Sequence, residues 1–140
     1  ESGFDTTIVT DNMIGDIMQK GMVDVFSSAA DSITEDGSVV NKVGTFQMAL
    51  LAKHFDIPYY VTGIPDKGKK SLDDVKIEMR DPEDVLSLGG IRHAQKGVKG
   101  YYPSFDKTPS DLVTGVVTDK GVFKANDLGK YFEISGEDFY

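Results

Sequence analysis

Asp31 and the pair Asn41-Lys42 are the residues of this 140-residue chain whose types and placement could do chemistry. Asp31 closes a run of apolar and small residues, Val23 to Ala30, that reads as a β-strand. A carboxyl at the carboxyl end of such a strand is partly shielded from water, which raises its pKa and suits general acid–base work. From position alone, a carboxylate that caps the following turn accounts for Asp31 better. Asn41 and Lys42 follow a short turn later, where the pattern predicts a helix opening at about Val40. Free backbone N–H groups beside an ammonium and a side-chain amide would hold hydroxyls or an anion. A solvated lysine and a capping asparagine form the plainer account of that pair.

Other chemistry is excluded by residue type. The chain has no Cys, so it supplies no thiol nucleophile, disulfide, Cys-ligated zinc or iron–sulfur cluster. Its two imidazoles, His54 and His93, are far apart in sequence. His54 falls at a predicted helix end, where a histidine complements the dipole. Neither G-x-G-x-x-G after a strand nor G-x-x-x-x-G-K-[ST] is present, and no G-x-S-x-G elbow occurs.

The elements that must position Asp31 and Asn41-Lys42 are short. β-branched Thr7 to Thr10 reads as a first strand, and Asp11-Asn12 as the cap of a helix carrying Met13, Ile14, Ile17 and Met18 on one face. Gly21 stands where that helix should stop. The second strand is Val23–Ala30, and the second helix runs from about Val40 to Phe55. Ile57 to Gly63 forms a third strand. Strand, helix, strand, helix, strand predicts an α/β domain: a Rossmann-like, open and mainly parallel sheet flanked by helices. A Lys/Gly-rich loop covers Pro65 to Ser71, Arg80 to Leu86 turns into a short helix, and Tyr101 to Asp106 is an aromatic connection. Val113 to Thr118 makes a late strand and Leu128 to Phe132 a terminal helical turn. Ligands of such sheets bind outside the carboxyl ends of the strands. That rule selects Asp11, Asp31, Thr62, Gly63, Thr118 and Asp119.

Hydrophobic residues make up 39% of the chain, as in an ordinary globular domain, and residues 1–140 read as one domain. The net charge of −8 comes from 15 basic and 23 acidic residues. With its Lys and Arg scattered among carboxylates, the chain is not expected to bind nucleic acid. Apolar runs such as Met48 to Ala52 fall far short of the roughly 20 residues that span a bilayer. No basic, apolar leader is visible, which points to the cytoplasm. A start at Glu1 rather than Met is expected of a fragment.

Five segments, taken in order, resemble the C-terminal domain of the methylthioribose-1-phosphate isomerase family. They are VTDNMIGDIMQKG, AADSITEDGSVVNKVGT, ALLAKHFDIPYYVTG, RDPEDV and YPSFDKTPSDLVTGVVTDKGV. That family is related to ribose-1,5-bisphosphate isomerases and to regulatory subunits of the eukaryotic translation-initiation exchange factor. The resemblance implies that Asp31, which in Ala29-Ala30-Asp31 takes the place of the acid of the family's Gly-Ala-Asp motif, is catalytic, and that Asn41 and Lys42 contact substrate. These roles then outweigh the capping and solvation accounts. Asp11 and Asp106 also match family positions, with structural or site-shaping roles.

The implied reaction converts an aldose 1-phosphate to a ketose 1-phosphate without metal or organic cofactor. Its substrate would be methylthioribose-1-phosphate or a related 5-deoxypentose-1-phosphate. Homodimerisation through this domain is implied as well. The family's catalytic Cys and phosphate-binding loop lie upstream of this domain, so the N-terminal domain of a longer isomerase is expected to supply them. Ser32 departs from the Arg that usually follows the acid in the methylthioribose enzymes. An Asp-Ser pair is closer to the bisphosphate isomerases and to the regulatory subunits. It keeps open a ribose-1,5-bisphosphate isomerase and a non-catalytic, metabolite-sensing module.

Overall fold

The structure is a computed structural model and describes residues 3–134. A 3-10 turn, Asp11–Met13, leads into helix α1, Ile14–Gln19, and Gly21 at φ 66° ends it. Strand β1, Phe26–Ala29, follows. Then come β2, Ser32–Ile33, and β3, Val39–Lys42, before helix α2, Thr45–His54, and strand β4, Tyr59–Thr62. The small hairpin β5, Ser87–Leu88, and β6, Ile91–Arg92, precedes β7, Phe105–Thr108. Strands β8, Gly115–Thr118, and β9, Gly121–Lys124, lead to helix α3, Gly129–Glu133.

The main sheet has the order β1-β4-β8-β9. Its first three strands are parallel, with Ser28 opposite Val61 and Val61 opposite Val116, and β9 returns antiparallel on β8. Helix α2 joins β1 to β4 and packs on both. Tyr59, Val61, Val116 and Ala49 are buried there with Ile33, Val39, Leu128 and Tyr131. This is the α/β, Rossmann-like architecture read from the sequence, with a mixed rather than wholly parallel sheet. No helix of the described residues is long and apolar enough to cross a membrane.

Strand β7 takes up the end of the expected aromatic connection, and two further differences from the sequence reading bear on the site. Thr7 to Thr10 pairs with no strand, and Ile8 is 93% exposed. A β-branched run has no strand to form without a neighbour for its backbone groups, so the sheet starts at β1. The second difference is the start of α2. Val39 to Lys42, read as the first turn of a helix, is strand β3, paired antiparallel with β2 on one side and β7 on the other. Consecutive valines favour the strand. Gly44, at φ 110°, then makes a bend that L side chains rarely adopt, and the helix begins at Thr45. The three-stranded sheet β2-β3-β7 therefore sits at the carboxyl end of β1.

Candidate functional site

Asp31 leaves the sheet directly beyond β1, and its backbone N–H donates to the Val40 carbonyl at 2.9 Å. That bond sets Asp31 beside β3 next to Asn41. Asn41 in turn lies opposite Asp106 on β7, and Lys42 opposite Phe105. The structure thus brings the three sequence-selected residues to one edge, although they come from a strand end and a second sheet rather than from a strand end and a helix.

Each side chain of the pair is held differently. Asn41 Nδ2 donates to Thr45 Oγ1 at 3.1 Å, and the Thr45 hydroxyl donates to the Lys42 carbonyl at 2.8 Å. These two bonds tie the end of β3 to the first turn of α2. The Lys42 ammonium stands 4.7 Å from the centre of the Phe105 ring, a cation–π contact that leaves the charged head in solvent. Lys42 is exposed and Asn41 half-buried.

The helix N-terminus expected to offer free N–H groups is already filled. Asp106 accepts from the Gly44 N–H at 2.6 Å and from the Phe46 N–H at 3.1 Å. A carboxylate from β7, some sixty residues away in sequence, therefore caps α2, satisfying donors that the helix cannot satisfy itself. Burial pushes the Asp106 carboxyl above its ordinary value, outweighing these N–H donors, which act the other way. Asp11 shapes the same corner: its Oδ2 lies 3.3 Å from where a Cβ on Gly44 would sit.

Asp31 itself is exposed, contrary to the shielded acid expected from its strand. The cause is topological. β1 is an edge strand of the main sheet, so nothing on its outer side within the described residues covers the residue that follows it. A groove of about 400 Å³ does lie between α1 and α2, lined by Asp11, Asn12, Gly15, Gln47, Leu50 and Leu51. Neither Asp31, Asn41 nor Lys42 lines it. Among the described residues no group of three or more His, Asp or Glu side chains is arranged to hold a metal ion.

Two further groups near this edge escaped the sequence reading. Tyr59, buried on β4, shares a hydrogen bond of 2.7 Å with Ser28 Oγ. Burial raises its phenol pKa, and the Asp106 charge raises it further. On the other side, Ser32 is buried next to Asp31 and bonds to Asp66 and Lys69 in the loop after β4. The carboxyl-end rule that selected Thr62 and Gly63 could have been extended into that loop. Asp119, also selected, instead accepts from the Tyr131 hydroxyl at 3.1 Å and serves packing of α3.

The chain is thus an α/β domain of Rossmann-like type whose mixed sheet gathers an acid and an Asn-Lys pair at its carboxyl edge, the edge at which ligands of such sheets bind. The chain belongs to the initiation factor 2 subunit family, whose model matches residues 1–125. It is 43% identical over 140 residues to the 5-deoxyribose 1-phosphate isomerase of Clostridium botulinum, covering 95% of this chain and 40% of that protein. The structure of 5-methylthioribose 1-phosphate isomerase from Pyrococcus horikoshii OT3 superposes with a TM-score of 0.87 at 38% identity, covering 95% of this chain and 39% of that one. The delta subunit of translation initiation factor eIF-2B from A. fulgidus matches with a TM-score of 0.84, also at 38% identity, over 94% of this chain and 40% of that one. The chain thus spans about 40% of the length of the relatives it matches.

Proposed function

We propose that this chain is the substrate-site domain of an aldose-1-phosphate to ketose-1-phosphate isomerase, acting on methylthioribose-1-phosphate or a related 5-deoxypentose-1-phosphate. The observation that carries the reading is the backbone bond from Asp31 to Val40, which fixes an acid beside Asn41-Lys42 at the carboxyl edge. Identity of 38–43% to two sugar-1-phosphate isomerases supports the same reading. The substrate's furanose ring is locked by its anomeric phosphate. Opening it requires a proton on the ring oxygen as the bond from that oxygen to C1 breaks. A hydrogen then moves from C2 to C1 and a proton leaves the C2 hydroxyl, so the atoms balance as an isomerisation.

In this reading Asp31 donates the proton to the ring oxygen, and Asn41 and Lys42 hold sugar hydroxyls and stabilise developing negative charge. Asp31 is exposed here, and a pKa suited to proton donation needs cover. We assign that cover to an N-terminal domain of a longer protein, which would make residues 1–140 its C-terminal domain. The same reading includes a homodimer through this domain and a cytoplasmic setting. Exposed Met13, Phe46 and Leu50 beside the α1–α2 groove support a second copy there.

Asp31→Asn in the full-length protein tests the assignment. Turnover should fall at least about 100-fold, the usual worth of a general acid, and unchanged turnover would remove Asp31 from the reaction. One observation favours a second reading. The eIF-2B delta subunit matches nearly as closely as the isomerase does, as a metabolite-sensing module would. Calorimetric binding of a sugar phosphate with no product formed would select that reading.

A further inference from the structure

Asp31 has neighbours on its carboxyl-terminal side that the reaction above does not use. Ser32 is only 4% exposed, and its hydroxyl sits between two charged groups of the loop that follows β4. It donates to Asp66 Oδ2 at 2.5 Å and accepts from Lys69 Nζ at 3.0 Å. Lys69 Nζ also meets Asp66 Oδ2 at 3.0 Å, closing the triangle. The backbone repeats the connection: the Asp66 N–H donates to the Ile33 carbonyl at 2.8 Å, and the Glu35 N–H donates to the Lys69 carbonyl at 2.8 Å. The Gly68 N–H donates to Glu35 Oε1 at 2.7 Å.

Asp31 is therefore held at both sides through the main chain, by β3 before it and by this loop after it. Its carboxylate receives no such support of its own among the described residues and projects from an exposed turn. The reach and direction of an acid so placed depend on how firmly the turn is pinned. A buried hydroxyl shared by an ammonium and a carboxylate is a strong pin, because its bonds are charge-assisted and losing both leaves the Ser32 hydroxyl unsatisfied, although Lys69 and Asp66 themselves keep access to solvent.

We propose that Ser32, Asp66 and Lys69 are positioning residues that hold the Asp31 carboxyl on the substrate's ring oxygen. The loop after β4 is thereby part of the catalytic apparatus rather than a surface connection. This rests on the role given to Asp31 above. Misplacing a reacting group by about 1 Å can cost roughly 100-fold in rate, and loss of one of the three pins should release part of that.

The test uses the full-length protein and the variants Lys69→Met, Ser32→Ala and Asp31→Asn, with kcat, KM and thermal midpoint measured for each. Expected for Lys69→Met and Ser32→Ala is a kcat lower by about 10-fold with KM within about 2-fold, at temperatures well below their melting points. That split marks an interaction made in the transition state. A lowered melting point with kcat unchanged overturns the proposal and leaves the triangle a structural brace. A raised KM with kcat unchanged also overturns it, since Lys69 would then touch substrate directly. Ser32→Ala keeps the Lys69–Asp66 ion pair, so it reports even where Lys69→Met folds poorly. Full turnover by Asp31→Asn is a separate outcome: it removes the acid, and with it anything to position.

Discussion

Replacing Asp106 by Ala tests how the site is assembled. The side chain accepts from the Gly44 N–H at 2.6 Å and the Phe46 N–H at 3.1 Å, the opening turn of α2. Hydrogen bonds to a charged group contribute about 1.5–3 kcal/mol each, and loss of a helix N-cap costs about 0.5–2 kcal/mol. Burial lifts the Asp106 carboxyl above its ordinary value in spite of these donors, so desolvation consumes part of the gain. A net loss of about 2 kcal/mol follows for Asp106→Ala. Unfolding entropy of about 2.1 cal/mol/K per residue gives roughly 0.3 kcal/mol per degree at this length, so the melting point should fall by about 7 °C. Asp106→Asn keeps one acceptor oxygen and should fall by about half as much. Differential scanning calorimetry of both variants beside Asp111→Ala, an exposed acid, is the assay. A shift for Asp106→Ala under about 2 °C, or one matched by Asp111→Ala, refutes the cap.

Three other outcomes follow from particular contacts. Gly37, at φ 81°, would place a Cβ 2.0 Å from the Ala125 carbonyl oxygen, and backbone cannot yield as a side chain does. Gly37→Ala should lose at least about 3 kcal/mol and accumulate as unfolded protein, measured by urea titration. Tyr59→Phe removes the 2.7 Å bond to Ser28 Oγ and should cost about 1 kcal/mol, with the stacked contact to Phe26 kept. For Asp66, burial alone would raise the carboxyl, but hydrogen bonds from Ser32 and Lys69 and the Lys69 charge outweigh it and hold it below its ordinary value. A depressed folded-state value gives stability that is full above the unfolded value and lost as pH falls through the folded one. The stability gap between wild type and Asp66→Asn should therefore be widest near neutral pH and close in acid; a constant gap contradicts this.

Much of the main sheet was legible because its signals are local. The small and apolar run into Asp31, and Ile57 to Gly63 with its Tyr59-Tyr60-Val61 after Pro58, each read as a strand, and β1 and β4 lie within those spans. The turn after Asp81 and the last helix were legible for the same reason, through a cap and a short apolar period. Strand β3 was not, because Val40 to Val43 runs into a helical pattern with only Gly44 to mark the break, and its partner β7 lies some sixty residues away. The Asp106 cap is invisible to sequence spacing for that reason too. Asp31, Asn41 and Lys42 were legible as a set from strand ends and family resemblance. The shielding assigned to Asp31 was not, because burial depends on what covers an edge strand. Ser32, Asp66 and Lys69 form a contact between two loops, which no periodicity encodes.

The central claim is isomerisation at the Asp31 edge. Phosphorus and proton NMR of the full-length protein would test it most directly, with methylthioribose-1-phosphate, 5-deoxyribose-1-phosphate and ribose-1,5-bisphosphate in separate samples. A ketose signal with one of the first two, lost in Asp31→Asn, is the expected result. A folded protein that leaves all three sugars unchanged would contradict it.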